Sequence, residues 1–268
     1  MRIIDAQIHL WAGAGAPPHH VRAPFTVTEA VAAMDEAGVA RAVNCPAVWD
    51  VEANQYAVLA AQSHPDRFAT MGWFPLAISG DPGLVEKAMS APGSVGLRFL
   101  LVDPALVAGV MSHELDWLWR AANERALPVA LMVMPDDLAV IEDVAVRFPA
   151  VRLMVDHLGV LPFLNLPEAT AHVDSLLRLA EHPNVAVKAT GVPSMATDAF
   201  PFLSTQPVLR QVFEAFGAER MFWGTDITRM PCDWSACVAA FTDHLPWLKG
   251  RDLELVMGDA IAAWLDWA

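Results

Sequence analysis

The sequence has few basic residues. It contains 17 Lys and Arg against 31 Asp and Glu, which gives a formal net charge of −14. This acidic balance argues against nucleic acid or an anionic membrane as a partner, although a local basic pocket could still bind an anion. We therefore expect the partner to be a small-molecule substrate.

Cysteines and long apolar runs are also scarce. The three cysteines, Cys45, Cys232 and Cys237, have no CxxC spacing, which favours reduced, structural thiols over disulfides or a catalytic thiol. No uninterrupted apolar run approaches the roughly 20 residues that cross a bilayer, and the first residues enter an apolar strand without a basic leader. We expect a cytoplasmic protein with no membrane partner, and a homo-oligomer is compatible with the sequence.

No glycine-rich dinucleotide or phosphate fingerprint follows the first predicted strand, which disfavours an open doubly wound sheet. Eight short β-type runs instead alternate with longer helical patterns. The predicted strands cover 3–10, 41–44, 69–74, 95–99, 129–134, 152–157, 185–189 and 221–224. The predicted helices lie near 28–37, 53–63, 82–90, 113–125, 136–148, 169–181, 207–216 and 233–245, with a last one near 252–267.

This alternation predicts a (β/α)8 TIM barrel with an extra C-terminal helix, because parallel strands need helical crossovers. The length of 268 residues, 55% of them apolar, suits one domain over 1–268. The open doubly wound sheet is the alternative.

Three of the predicted strands end in polar side chains that could carry chemistry. In DAQIH, Gln7 and His9 are two residues apart, so both should project into the barrel. In VDHLG, adjacent residues should point to opposite sides, and we expect His157 to face the lumen while Asp156 bonds backbone or a neighbouring strand. WGTD places Asp226 at the mouth, as a general base, a metal ligand or a turn cap.

These segments together resemble the amidohydrolase superfamily, specifically its branch of lactonases and aromatic-acid decarboxylases. The resemblance covers nearly the whole chain and also includes MDEAGV, HPDRF and GLRF. It implies a barrel hydrolase with its site at the strand ends. Relatives that use a metal usually open with HxH or with a carboxylate, whereas this chain has Gln7 in the first place.

The resemblance also locates other departures from the metal-binding pattern. Strand five offers methionines where metal-dependent relatives place a histidine, and strand four offers Arg98 where some place a carboxylate. A neutral amide such as that of Gln7 is a poor ligand for zinc. We expect no tightly bound cofactor. If a divalent metal such as zinc is bound, its ligands should be His9, His157 and Asp226.

The predicted chemistry is metal-free hydrolysis of a carbon–oxygen bond, most readily that of a lactone. Asp226 would activate water, His157 and His9 would polarise the carbonyl or protonate the leaving oxygen, and Gln7 would donate to the oxyanion. Arg98 could hold a substrate carboxylate or form a structural ion pair with Asp156. Lys188 has the same two alternatives, with the structural one favoured.

Aromatic residues fall at or just after the predicted strand ends, and they should form an apolar rim that favours a ring-bearing or hydrophobic substrate over a sugar. These residues are Trp11, Trp49, Trp73, Trp223 and Trp234; core packing is the alternative for each. The long first loop carries His19, His20 and Arg22 and is the natural lid, with His20 as a candidate substrate contact.

Two other functions stay open at this point. One is a metal-assisted, non-oxidative decarboxylase of an aromatic or unsaturated acid, with Arg98 as the carboxylate anchor. The other is a barrel that has lost turnover and only binds a small ligand. Gln7 counts against the decarboxylase, because such relatives generally keep a complete metal set.

Overall fold

The computed structural model describes residues 1–13, 15–21 and 24–267. Eight parallel strands lie side by side in chain order, which confirms the predicted (β/α)8 barrel. The strands are β1 (Ile3–Ile8), β2 (Val39–Asn44), β3 (Phe68–Gly72), β4 (Ser94–Leu101), β5 (Pro128–Val133), β6 (Arg152–Val155), β7 (Val185–Ala189) and β8 (Met221–Trp223). Their carboxyl ends meet at one mouth of the barrel, as parallel order requires.

Helices fill the connections between the strands. They are α1 (Val27–Ala37), α2 (Ala53–Ser63), α3 (Gly83–Met89), α4 (Pro104–Met111), α5 (Asp116–Glu124), α6 (Ala139–Arg147), α7 (Val173–Arg178), α8 (Val192–Met195), α9 (Gln206–Phe216), α10 (Trp234–Thr242), α11 (Gly250–Glu254) and α12 (Ala260–Trp264). The sequence analysis missed α4, although Asp103 caps it and Pro104 opens it, which are ordinary helix-start signals. No helix among the described residues is both long and apolar enough to cross a membrane.

The amino-terminal end of the barrel is closed by apolar packing. Ile4 and Phe222 from the strands belong to one buried cluster with Ile261 from α12. A single π-helical turn, Leu255–Asp259, joins α11 to α12 beneath the strands. There a Cβ on Gly258 would lie 2.3 Å from the carbonyl oxygen of Arg2, so only glycine allows this close approach. The C-terminal helices therefore plug one end and leave the other for the site.

Asp5 connects the first strand to the last. Its carboxylate accepts hydrogen bonds from the backbone N–H and the hydroxyl of Thr225 (2.9 and 2.5 Å), from the indole of Trp234 (2.9 Å) and from the backbone N–H of Gln7 (3.0 Å). Burial raises the pKa of Asp5 to about 7, against the lowering effect of these hydrogen bonds. Asp5 therefore stabilises the closure of the barrel between β1 and β8, on the side away from the lumen.

Candidate active site

A β-bulge in β1 sets which residues of this strand face the lumen. The pairing advances from Asp5 opposite Ala42 to Ile8 opposite Asn44, so β1 holds one more residue than β2 over this stretch. After the bulge, Gln7 and His9 both contact groups inside the mouth. His9 donates from Nδ1 to the carbonyl oxygen of Cys45 (2.5 Å) and directs Nε2 toward Oδ1 of Asp226, 3.5 Å away.

The end of β6 corrects one expectation. His157 and Leu158 have left-handed φ values of 55° and 57°, so the strand's alternation breaks directly after Asp156. Asp156 then contacts Arg98 and Lys188 within the barrel mouth, and His157 contacts Gln7 in the same region. The prediction that only one of the two adjacent residues faces the lumen is therefore wrong, because it assumed extended backbone through His157.

Asp226 follows β8 in a left-handed conformation with a φ of 54°. It is almost fully buried, and Oδ2 accepts a hydrogen bond from Nε of Arg229 at 2.7 Å. Oδ1 has no hydrogen-bond partner among the described residues. Two imidazole nitrogens lie close to this carboxylate: Nε2 of His9 is 3.5 Å from Oδ1, and Nε2 of His157 is 3.8 Å from Oδ2. One carboxylate oxygen is thus held and the other is left for chemistry.

Arg229 is a site residue that the sequence analysis missed. It also donates from Nη1 to the hydroxyl of Ser194 at 2.8 Å. A Cβ on Gly191, whose φ is 73°, would lie 1.9 Å from Nη2 of Arg229, so this loop makes room for the guanidinium. The available signal was the three-residue spacing from Asp226 in TDITR, which a tight turn brings together.

A chain of hydrogen bonds fixes the tautomer of His157. Lys188 can only donate, so its bond to Oε1 of Gln7 (3.1 Å) leaves the Gln7 amide nitrogen to donate to Nε2 of His157 (3.1 Å). Nε2 is then the acceptor, and Nδ1 carries the proton that it donates to the hydroxyl of Thr190 (2.7 Å). Gln7 is therefore a link between a buried cation and an imidazole.

The tautomer of His9 follows from its hydrogen-bond partner in the same way. The carbonyl oxygen of Cys45 accepts from Nδ1 of His9, so a neutral His9 has an unprotonated Nε2. Burial lowers the pKa of His9, and it lowers the pKa of His157 to about 3 with the help of Arg229. Burial alone would raise the pKa of Asp226, but His9 and Arg229 lower it below its usual range. Near neutral pH the site combines a carboxylate with neutral imidazoles.

A cavity of about 200 Å³ opens over these groups. Its walls come from the strand ends and from the first loop, and they include His9, His19, His20, Val48, Trp49, Arg98, Leu100, Met132, His157 and Asp226. The backbone N–H of Val21 donates to the carbonyl of Thr228 at 2.8 Å, and Nδ1 of His20 lies 2.7 Å from the hydroxyl of Thr228. These bonds hold the first loop against the loop after β8.

The predicted aromatic rim is largely wrong. Trp11, Trp223 and Trp234 are fully buried and do not line the cavity. Trp11 packs edge-on against Trp49 and His20, which do line it. Trp49 lines the cavity and packs edge-on against His9 at 5.5 Å between ring centroids. Trp73 lines a neighbouring cavity instead. Arg22 lies outside the described residues.

Gln7 and Lys188 do not line the cavity, whereas Arg98 does. Gln7 is fully buried and does not line the cavity, so its position does not match that of an oxyanion donor. Arg98 and Lys188 both pair with Asp156, at 2.7 and 3.0 Å. Lys188 therefore forms the structural ion pair that was the favoured alternative. Arg98 forms an ion pair with Asp156 and also lines the cavity.

The donor set does not fit a metal ion. Nε2 of His157 already accepts the amide N–H of Gln7, and Met132 lines the wall from β5. Among the predicted ligand atoms, Nε2 of His9 and Oδ1 of Asp226 accept no hydrogen bond from the described residues, whereas Oδ2 of Asp226 accepts one from Arg229. Within the part of the chain that the structure describes, no group of three or more His, Cys, Asp or Glu has a geometry suited to a metal. Structural zinc sites use four such ligands and catalytic ones three.

The mouth of this (β/α)8 barrel brings a carboxylate that follows β8 together with histidines that follow β1 and β6, as in an enzyme whose active site lies at the strand ends. Residues 4–263 match the amidohydrolase family over almost the whole chain. The protein belongs to this family and is a hydrolase.

Proteins that resemble this chain in sequence or in fold have several activities. The chain is 27% identical over 262 residues to an L-fucono-1,5-lactonase from Burkholderia ambifaria, covering 91% of this chain and 85% of the relative. Its fold is similar to that of an amidohydrolase from Burkholderia multivorans solved with bound zinc, with a TM-score of 0.81, 18% identity and 99% of each chain covered. It is also similar to a 5-carboxyvanillate decarboxylase from Sphingomonas paucimobilis, with a TM-score of 0.70, 16% identity and 99% of each chain covered.

Proposed function

We propose that this protein hydrolyses a lactone, or a closely related cyclic ester, with water activated by Asp226. The observation that carries the proposal is the pair of free lone pairs on Oδ1 of Asp226 and Nε2 of His9, 3.5 Å apart beside the cavity. A water molecule can donate one hydrogen to each of these acceptors. Its own lone pair is then free to attack a carbonyl carbon in the cavity.

The proton balance of this reaction is simple. As water adds to the lactone carbonyl, one proton passes to Asp226 and a tetrahedral oxyanion forms. When the ring carbon–oxygen bond breaks, the leaving alkoxide takes that proton from Asp226, and the product is a hydroxy acid. A lactone suits such a site because its alkoxide leaves with less assistance than an amide nitrogen.

The charges around the cavity support an anionic transition state. Within the part of the chain that the structure describes, Arg98, Lys188 and Arg229 pair with two carboxylates, Asp156 and Asp226. Three cations among these residues therefore face two anions while the histidines are neutral. Arg98 lines the cavity and uses Nε for Asp156. Its Nη groups would donate to the developing oxyanion, the part that the sequence had suggested for Gln7.

The proposed reaction needs no tightly bound metal. The amide of Gln7 occupies the lone pair of His157, and Lys188 supplies a fixed cation behind it. The test combines elemental analysis of protein purified without added metal or chelator with a panel of lactones and cyclic esters. We expect turnover of at least one lactone, no stoichiometric zinc or manganese, and no loss of turnover after chelation. One equivalent of metal whose removal abolishes turnover would overturn the metal-free part.

Decarboxylation is the second candidate, and the observation that favours it is Arg98, which could hold a carboxylate in the cavity. Carbon dioxide release from hydroxybenzoate-type acids, with no lactone turned over, would select this reaction. A ligand-binding barrel without turnover would be indicated if Asp226→Asn kept full ligand affinity and the parent turned over neither class of compound.

A further inference from the structure

A second cavity of about 210 Å³ adjoins the candidate active site. Val48, Arg98 and Leu100 line both cavities, so the two share a wall at the carboxyl end of β4. The second cavity extends away from Asp226, toward the segment after β3 and the helix α4. Its position makes it an extension of the site rather than a separate surface.

The far walls of this cavity are apolar. Phe74 and Leu76 come from the segment after β3, and Leu106 comes from α4. Phe74 packs edge-on against Phe99 at 5.0 Å between ring centroids, which keeps the floor aromatic. Arg98, at the junction with the first cavity, is the charged residue in this lining. Hydroxyl groups of a sugar placed against the far walls would lose hydrogen bonds to water and find few partners in exchange.

The size fits a small apolar group. A dry cavity of about 150 Å³ in a protein core can hold benzene, so this one has room for an aryl ring or a short alkyl chain. We propose that it binds the apolar substituent of the substrate while the carbonyl lies against Asp226. This inference rests on the proposed function, and it makes the preferred substrate an alkyl- or aryl-substituted lactone rather than a polyhydroxylated one.

The experiment compares three six-membered lactones: unsubstituted δ-valerolactone, pentyl-substituted δ-decalactone and polyhydroxylated glucono-δ-lactone. We expect δ-decalactone to give a kcat/KM at least tenfold above the other two, since single methylenes in an apolar pocket already discriminate by about tenfold or more. Equal or higher kcat/KM for glucono-δ-lactone would overturn the inference and leave the proposed function standing.

Leu106→Trp fills the cavity and provides the structural test. The preference for δ-decalactone over δ-valerolactone should fall at least tenfold, with circular dichroism as the check on folding. The matched control is Leu203→Trp, a change at an exposed leucine outside both cavities, which should leave the preference as it is. An unaltered preference in Leu106→Trp would mean that the substituent lies elsewhere.

Binding separates the inference from the proposed function. If no lactone is turned over, the proposed function fails, and calorimetry with 5-hydroxydecanoate and 5-hydroxypentanoate then tests the cavity. Tighter binding of the longer acid, lost at least tenfold in Leu106→Trp and kept in Leu203→Trp, would still support the cavity. Equal affinities for the two acids would overturn it.

Discussion

Two buried carboxylates at the same mouth, Asp156 and Asp226, have opposite surroundings. Asp156 places one oxygen 2.7 Å from Nε of Arg98 and the other 3.0 Å from the ammonium of Lys188. Asp226 has a cation on Oδ2 only, and Oδ1 faces the unprotonated nitrogen of His9. Both oxygens of the first carboxylate thus lie beside a cation, whereas the second has a cation on one oxygen only and lines the cavity.

The difference indicates that Asp156 has a structural role and Asp226 a catalytic one, although both are buried carboxylates. Lys188 and Arg98 lower the pKa of Asp156 below its ordinary range against burial, which acts to raise it. Both carboxylates are therefore ionised near neutral pH, so charge alone does not distinguish them. What distinguishes them is that Asp226 lines the cavity and has a cation on one oxygen only, whereas Asp156 does not line it and has a cation beside each oxygen.

The largest expected effect comes from Asp226→Asn. The amide oxygen can still accept from Arg229, so the fold should persist, but the proton acceptor is lost. We expect kcat/KM to fall by roughly 10²–10⁴-fold, the usual contribution of a positioned general base. Steady-state kinetics on the lactone from the panel, with circular dichroism as the folding check, measures this. Near-parental turnover would remove Asp226 from the mechanism.

Asp156→Asn is the matched variant at the compensated carboxylate. It leaves Arg98 and Lys188 buried with no opposing carboxylate between them, and breaking such a buried pair costs about 3–5 kcal/mol. We expect the main loss in the free energy of unfolding, measured by denaturant titration. A variant as stable as the parent would show that water or rearrangement compensates these cations, and the contrast between the two carboxylates would disappear.

The sequence predicted the strands and the three residues that the mouth brings together, His9, His157 and Asp226. The reason is that buried parallel strands are short apolar runs, and a polar residue at the end of such a run stands out. The direction of neighbouring side chains was harder to predict. The left-handed backbone at His157 and the bulge in β1 depend on tertiary contacts that no local pattern encodes.

The packing of large side chains was also outside the reach of the sequence. Trp11 and Trp49 both follow predicted strand ends, yet one is buried in the core and the other lines the cavity. Arg229 escaped notice because an arginine in a loop is usually solvated. Only the fold reveals that Gly191 and Ser194 provide its buried position.

Gln7→Ala tests the comparison of Asp156 with Asp226 through a smaller expected loss of activity. It removes the donor that orients His157 and one of the partners of Lys188, while both carboxylates stay in place. We expect kcat/KM to fall about tenfold, at the low end of what losing an orienting partner costs, and mainly through kcat. Gln7→Glu is the control, because it keeps an acceptor for Lys188 but cannot donate to a neutral His157. A fall as large as that of Asp226→Asn would place Gln7 in direct contact with the reacting atoms.

The smallest expected effect concerns the pH dependence of kcat/KM, namely the pH at which activity begins to fall on the acidic side. Burial lowers the pKa of His9, and it lowers that of His157 to about 3. Both imidazoles should therefore stay neutral, and Asp226 ionised, well below the ordinary histidine pKa of about 6.5. We expect kcat/KM to be constant as the pH falls through 6.5 and to decline only at lower pH. A limb near 6.5 would mean that His9 titrates as an exposed histidine does, and that its Nε2 is protonated rather than free when the pH is just below neutral.

The same pKa shifts also affect the stability of the folded chain. Below pH 6.5 the unfolded chain binds protons at both histidines before the folded chain does, and for His157 this difference lasts down to a pH of about 3. The free energy of unfolding should therefore decrease as the pH falls below 6.5. Measuring both curves on the same protein separates the two effects, since activity should persist at pH values where stability has already begun to decline.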